Sequence, residues 1–130
     1  MFFSKKVDRP LTANKLLGNK AELIALDFLK TQGLRLITAN YYCCYGEIDL
    51  IMQDIQNLIF VEVRLRNNHI YGNALETINY AKQRKLSKTA LHYLQTKKLL
   101  YKLSSRFDII AIDSAAEITW IKNAFTSHYY

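Results

Sequence analysis

The sequence is poor in glycine, cysteine and proline. It contains four Gly, two Cys and one Pro in 130 residues. So few glycines leave no glycine-rich loop to cradle a phosphate, and the P-loop and dinucleotide-binding fingerprints are absent. Cys43 and Cys44 are adjacent, which is the wrong spacing for a zinc knuckle or a redox pair, so we expect both to be reduced.

Long apolar runs are missing as well. No segment approaches the roughly 20 apolar residues that a helix needs to cross a bilayer, and residues 1–6 lack the sustained apolar core of a signal peptide. We therefore expect a cytoplasmic protein that does not contact a membrane. Hydrophobic residues make up 50% of the chain, which predicts a single folded domain over residues 13–130 after a flexible arm over residues 1–12.

Acidic residues are absent from a long stretch of the second half of the chain. Between Thr77 and Phe107 there is no Asp or Glu, and the whole chain has a formal net charge of +7. The basic residues in this stretch are Lys82, Arg84, Lys85, Lys88, Lys97, Lys98, Lys102 and Arg106. Such a one-sided segment is the expected footprint of a polyanion partner, and the alternative is a solvated helix face.

Hydrophobic periodicity predicts an α+β domain with a mixed sheet. Apolar residues recur at helical spacing in two segments, which predicts helices over residues 14–32 and 74–96. Runs of β-forming residues predict strands over residues 34–42, 46–53, 58–66, 106–113 and 118–122. The order α-β-β-β-α-β-β implies at least one crossover and helices packed on the sheet.

A tight turn at residues 54–57 predicts that the flanking strands pair as a hairpin. A symmetric closure places Asp49 opposite Glu62 and Glu47 opposite Arg64, with all four side chains on one face. Like charges directly opposite each other destabilise a sheet, so we expect a cation between Asp49 and Glu62. A divalent metal is the sharpest candidate, and the alternative is a cross-strand ion pair between Glu47 and Arg64.

An acid on one strand, followed on the next by a Glu two residues before a cation, is the pattern of the PD-(D/E)xK nucleases. Because positions two apart on a strand share a face, Glu62 and Arg64 are expected to point the same way as Asp49. The backbone carbonyl of Val63 would then supply a further ligand to Mg or Mn. Such a metal polarises a phosphate oxygen and lowers the pKa of a bound water.

Read along its length, the sequence resembles the YraN family, small bacterial proteins for which a restriction-endonuclease-like fold is predicted. The resemblance covers nearly everything after the N-terminal arm, and its main stretches are Gly18–Glu22, Gly46–Ile51, Phe60–Arg66, Tyr71–Gly72, Lys82–Leu86, Arg106–Asp108 and Trp120–Phe125. It implies a restriction-endonuclease-like core with Asp49 and Glu62 as metal ligands. It also implies that Glu22 on the first helix completes the site, where the alternative is a solvated helix residue.

Arg64 occupies the position where the nuclease pattern usually has Lys. Because Arg is always protonated, it is excluded as a base, and an electrostatic role on the scissile phosphate remains. Gln83 resembles a helix Gln that some of these nucleases place near the site, and the alternative is an ordinary surface residue.

These observations favour a metal-dependent phosphodiesterase, an endonuclease or resolvase-like enzyme that selects DNA by structure rather than by sequence. Phosphate contacts are expected from Lys82, Gln83, Arg84, Lys85, Lys88 and Arg66. Tyr41, Tyr42 and Tyr45 would either stack on unpaired bases or finish the edge of the core. The alternatives are a nucleic-acid-binding module that does not cleave and a subunit that docks on an acidic protein. A homodimer through the edge strand at residues 118–122 is also compatible with the sequence.

Overall fold

The structure is a computed structural model that describes residues 13–66 and 78–127, with side chains in the first helix described from residue 20 onward. The predicted arm at residues 1–12 and the predicted loop at residues 67–73 lie outside the described residues. The elements in chain order are α1 (Ala13–Thr31), β1 (Arg35–Cys43), β2 (Gly46–Gln53), β3 (Asn57–Leu65), α2 (Tyr80–Thr96), β4 (Ser104–Ile112) and β5 (Ile118–Phe125).

The five strands form one mixed sheet in the order β1-β2-β3-β4-β5. Strands β3 and β4 are parallel, and the other neighbouring pairs are antiparallel. A parallel pair needs a crossover connection, and α2 lies within the segment that provides it. The predicted α+β class with a mixed sheet is confirmed. Within the described residues, no helix combines the length and apolar character needed to cross a membrane.

The two helices cover opposite faces of the sheet and build two separate cores. On one face, Ala21, Ala25 and Leu29 of α1 are buried in a cluster with Leu50 and Val61 from the central strands. The two alanines recur four residues apart on one side of the helix, so α1 can approach the sheet closely. On the other face, α2 contributes to a second cluster that contains Ile48, Phe60, Leu86, Ala90, Tyr93 and Phe107.

The predicted start of α2 at residue 74 is wrong. The helix begins at Tyr80 because Asn79 has extended backbone geometry, with φ −75° and ψ 174°. Its side chain accepts a 2.8 Å hydrogen bond from the backbone N–H of Lys82, the geometry of an N-cap. Buried Ile78 precedes this cap and joins the apolar core below the helix.

The predicted end of β5 at Lys122 is also too early, since the strand continues to Phe125. Asn123 has a positive φ of 52° at a register shift in the β4–β5 ladder. Its backbone N–H donates a 2.9 Å hydrogen bond to the buried Asp108 carboxylate, which bridges the irregularity. Pairing then resumes, and Phe125 stacks on Phe107 with ring centroids 4.6 Å apart.

Strands β2 and β3 pair only near their turn, and this limited pairing positions the candidate site. The predicted register of Gln53 with Leu58 is confirmed, but the ladder ends at Leu50 and Val61. Beyond that point β2 continues along β1, while β3 continues along β4. The sheet therefore forks, and the predicted direct opposition of Asp49 with Glu62, and of Glu47 with Arg64, is wrong.

Candidate functional site

The fork opens into a cleft of about 340 Å³, which we call the acidic fork. Its lining residues come from three elements and are Ala21, Glu22, Asp49, Glu62, Val63, Arg64 and Leu65. Strands β2 and β3 supply the walls, and α1 closes one side. The structure thus brings together all four predicted catalytic residues, including Glu22, which sequence reasoning left open as a solvated helix residue.

Asp49 lies in the gap where β2 leaves β3. Its Oδ2 accepts a 2.8 Å hydrogen bond from the backbone N–H of Val63. This side-chain contact replaces the backbone pairing that the fork interrupts, so Asp49 satisfies a donor that the partner strand no longer reaches.

The pKa of Asp49 is raised well above 3.8. Burial is the largest cause, followed by the negative charge of Glu62, while the hydrogen bond from Val63 acts in the opposite direction. The charges of Glu22 and Glu47 raise the pKa further. A cation bound at the fork would favour the ionised form of Asp49, because an opposite charge within a few ångströms lowers the pKa of a carboxyl.

Glu62 is only 7% exposed and is held by two cations. Its Oε2 lies 3.4 Å from Arg64 Nη1 and 3.6 Å from Lys82 Nζ. Arg64 comes from the same strand, whereas Lys82 reaches across from the first turn of α2. The sequence pattern predicted Lys82 as a phosphate contact and gave no indication of its contact with Glu62.

Glu22 points toward the cleft because it has a partner on β1. Asn40 Nδ2 donates a 2.9 Å hydrogen bond to Glu22 Oε1. Asn40 has a positive φ of 53°, a left-handed conformation that Asn tolerates better than most residues. Its flanking residues on β1, Ala39 and Tyr41, pack against opposite cores, so the usual alternation of the strand is broken here.

Asn40 is a site residue that sequence reasoning missed in this role. The only available signal was an Asn within a run of β-forming residues, a position where a residue that tolerates positive φ marks an irregularity. The irregularity turns the Asn40 side chain toward α1, where it fixes Glu22 beside Asp49.

The donor set of the acidic fork is compatible with a magnesium or manganese ion. Among residues 20–66 and 78–127, no three His, Cys, Asp or Glu side chains form a ready-made metal cluster. Mg²⁺ is commonly held by one or two carboxylates together with waters and substrate phosphates. Because the N–H and C=O of a strand residue point to the same edge, the carbonyl of Val63 also faces the fork, beside Asp49 and Glu62.

The predicted phosphate-binding residues lie on α2 and directly after the end of β3. Lys82 contacts Glu62, and Gln83 Nε2 donates a 3.2 Å hydrogen bond to the Ile78 carbonyl. Arg84 lies over the ring of Tyr80 on another side of α2. Arg66 lies at the end of β3, with Nη2 3.4 Å from Thr119 Oγ1.

Lys85 and Lys88 complete the predicted set, and both side chains are exposed. Lys88 Nζ lies 6.0 Å from the centroid of the Tyr45 ring. Since residues three apart are neighbours on a helix, Lys85 lies between Lys88 and the Lys82 contact with Glu62.

Fold and site together define a small α+β protein whose mixed sheet forks at a cleft of carboxylates flanked by two cations. Residues 21–112 match the model of the family described as "Uncharacterised protein family UPF0102". The chain therefore belongs to the UPF0102 family, and the resemblance to YraN proteins that its motifs indicated is confirmed.

Similar curated proteins span nearly the same length as this chain. A UPF0102 protein of Psychromonas ingrahamii is 51% identical over 121 residues, which cover 92% of this chain and 98% of the relative. One from Coxiella burnetii is 49% identical, with 87% of this chain and 94% of the relative covered. One from Legionella pneumophila is 47% identical, with coverages of 83% and 92%.

Proposed function

We propose that this protein is a metal-dependent phosphodiesterase that acts on DNA and selects its substrate by structure. The observation that carries the proposal is the acidic fork itself, an open cleft in which Asp49 and Glu62 meet beside Val63. A cluster of carboxylates lowers the stability of a fold and is typical of functional sites, and here it lies open to a ligand. We include in the proposal the restriction-endonuclease-like core that the family resemblance implies.

The ligands of the metal in this proposal are the carboxylates of Asp49 and Glu62 and the carbonyl of Val63. When bound, Mg or Mn would polarise a phosphate oxygen and lower the pKa of a coordinated water. Glu22, held by Asn40, places a third carboxylate at the cleft, where it can accept a hydrogen bond from a water or complete the charge balance.

Arg64 acts electrostatically in this proposal. Its guanidinium lines the cleft and lies 3.4 Å from Glu62 Oε2, so it is held near the position of an incoming phosphate. It cannot abstract a proton, but the paired N–H donors of its planar guanidinium match the oxygens of a phosphate. The role that suits it is binding the scissile group and stabilising the charge that develops on it.

The distribution of charge supports structure selectivity in this proposal. Three exposed cations, Arg84, Lys85 and Lys88, lie together on α2. Contacts to phosphate position a nucleic acid without reading its sequence. Branched, flapped or single-stranded DNA is therefore the substrate class that the surface suits best.

The experiment is a cleavage assay in manganese on duplex, flap, junction and single-stranded DNA and on RNA. We expect cleavage of at least one branched or single-stranded DNA by the wild type and its loss in Glu62→Gln. Glu117→Gln is the matched control, because Glu117 is an exposed acid that does not line the cleft. Cleavage that survives unchanged in Glu62→Gln would contradict the proposal.

A second candidate function is a nucleic-acid-binding module that does not cleave. The observation in its favour is the pairing of Glu62 with both Arg64 and Lys82, a charge network that neutralises one carboxylate without a metal. In that case the wild type would bind DNA with an affinity that falls steeply with salt, and no substrate would be cut. Undetectable DNA binding at low salt would contradict both functions.

A further inference from the structure

A fixed aromatic surface lies beside α2, at the turn between β1 and β2. We call it the Tyr45 platform, and it consists of Tyr45, Lys88 and His92. The ring of Tyr45 meets the ring of His92 edge to face, with centroids 6.4 Å apart, and Lys88 Nζ lies 6.0 Å from the Tyr45 centroid. Tyr45 nevertheless remains 48% exposed, so part of its ring is open to a ligand.

The platform is anchored on both of its sides. The hydroxyl of Tyr41 and Nδ1 of His92 form a hydrogen bond, and the Tyr41 ring packs edge to face on Tyr93 of the core. Gly46 has a positive φ of 150°, and an added Cβ would lie 3.4 Å from Thr89 Oγ1 on α2. The close approach of this strand to the helix holds the adjacent residue Tyr45 against α2.

A row of lysines connects the platform to the acidic fork. Lys82 contacts Glu62 at one end and Lys88 lies by Tyr45 at the other, with exposed Lys85 between them. Six residues of helix span about 9 Å along the axis. The sequence contains no Asp or Glu between Thr77 and Phe107, so no acid of α2 itself offsets the positive charge of this row.

We propose that the Tyr45 platform binds an unpaired base of the strand whose phosphate enters the acidic fork. This inference rests on the proposed function and narrows its substrate to DNA with a single-stranded segment. A base inside a duplex is stacked on its neighbours and cannot use a tyrosine face, whereas an unpaired base can. The lysine row provides the charge for the intervening phosphates.

The combination of features favours a nucleic-acid strand over an acidic protein. Lysines alone would suit either partner, because both are polyanions. An aromatic ring fixed next to them adds stacking and a cation–π contact, which are typical of single-strand binding surfaces. The Asp and Glu side chains of an acidic peptide have no aromatic face that could stack on this ring.

Binding is measured without turnover, by fluorescence anisotropy of a labelled dT12 oligonucleotide in EDTA at low salt. We expect Tyr45→Ala to bind the oligonucleotide roughly tenfold more weakly, the usual effect of losing one stacking ring, while Tyr45→Phe keeps the wild-type affinity. Tyr101→Ala is the matched control, because Tyr101 is 90% exposed and lies outside the platform. Thermal unfolding of each variant verifies that the domain is intact.

The same titration with a blunt duplex of equal length separates stacking from charge. We expect Tyr45→Ala to leave the affinity for the duplex unchanged, and Lys88→Ala to weaken the binding of both dT12 and the duplex. Equal affinity of Tyr45→Ala and wild type for dT12 would overturn the inference. Complete displacement of dT12 by poly-glutamate, at the same concentration from the wild type and from Tyr45→Ala, would overturn it as well.

Cleavage in manganese, measured in parallel, distinguishes the two proposals. Loss of dT12 binding in Tyr45→Ala together with no cleavage by the wild type would support the platform and overturn the phosphodiesterase. Cleavage by the wild type that Tyr45→Ala leaves unchanged on flap, single-stranded and duplex substrates would overturn the platform alone.

Discussion

The Oδ2 atom of Asp49 accepts a 2.8 Å hydrogen bond from the backbone N–H of Val63 across the gap between β2 and β3. The contact fixes a carboxylate at the point where the sheet divides, beside the Glu62 carboxylate that follows on the neighbouring strand. A regular hairpin would satisfy the Val63 N–H with a backbone carbonyl. Here the interruption of the ladder both creates the cleft and positions one of its acids.

Asp49→Asn should stabilise the metal-free protein at neutral pH. The folded-state pKa of Asp49 lies well above 3.8, so the folded state binds the proton more tightly than the unfolded chain does. The free energy of unfolding of the wild type therefore falls as pH rises through that folded-state pKa. The Asn side chain is neutral at every pH and keeps an acceptor for the Val63 N–H.

Thermal unfolding in EDTA between pH 4 and pH 8 measures this effect. At pH 8 we expect the free energy of unfolding of Asp49→Asn to exceed that of the wild type by on the order of 1 kcal/mol, which raises the unfolding midpoint by roughly 4 °C. This difference should narrow toward pH 4. Asp27→Asn removes one carboxylate from the exposed side of α1 and serves as the matched control. A wild type more stable than Asp49→Asn across the whole range would contradict the electrostatic account.

Asn40 allows backbone strain to be separated from its hydrogen bond to Glu22. In Asn40→Ala both the hydrogen bond and the tolerance of positive φ are lost, at a cost of about 1–2 kcal/mol for the backbone alone. In Asn40→Gly only the hydrogen bond is lost, so we expect a smaller loss of stability by chemical denaturation.

Both Asn40 variants should lose activity to a similar extent, because Glu22 is released from the cleft in each. Equal stability of Asn40→Ala and the wild type would contradict the role assigned to the left-handed backbone. Full activity of Asn40→Gly would contradict the role assigned to the contact with Glu22.

Arg64 variants test whether a cation that cannot act as a base is sufficient for the proposed cleavage reaction. We expect Arg64→Ala to reduce kcat by about 10²-fold, the usual loss for one group that stabilises transition-state charge, and Arg64→Lys to remain within tenfold of the wild type. The kcat of Arg64→Lys should follow the same pH dependence as the wild type, since neither side chain transfers the proton. A new pH dependence in Arg64→Lys would show that Lys acts as a base at this position.

The parts of the fold that the sequence predicts are those set by local interactions. The β2–β3 turn is one example, because Asp54 Oδ1 accepts hydrogen bonds from the backbone N–H groups of Gln56 and Asn57 at 2.8 and 2.6 Å. This Asx turn fixes the register next to it, and the confirmed pairing of Gln53 with Leu58 follows.

The fork and the position of Glu22 could not be predicted from local interactions. Counting along a hairpin assumes that the ladder continues, whereas beyond Val61 β3 stays paired only with β4, more than 40 residues later in the chain. Glu22 turns inward because of Asn40, 18 residues away. The start of α2 was missed for a different reason, since the apolar pattern continues on the N-terminal side of Asn79, whose side chain caps the first turn and so sets where the helix begins.

Calorimetric titration of Mn²⁺ tests the central claim, that the carboxylates of the acidic fork hold a divalent ion. We predict one ion bound per chain by the wild type, with an affinity that rises with pH because Asp49 must lose its proton, and no binding by Asp49→Ala, while Glu117→Gln binds as the wild type does. Absence of binding by the wild type, or equal binding by Asp49→Ala, would contradict the account.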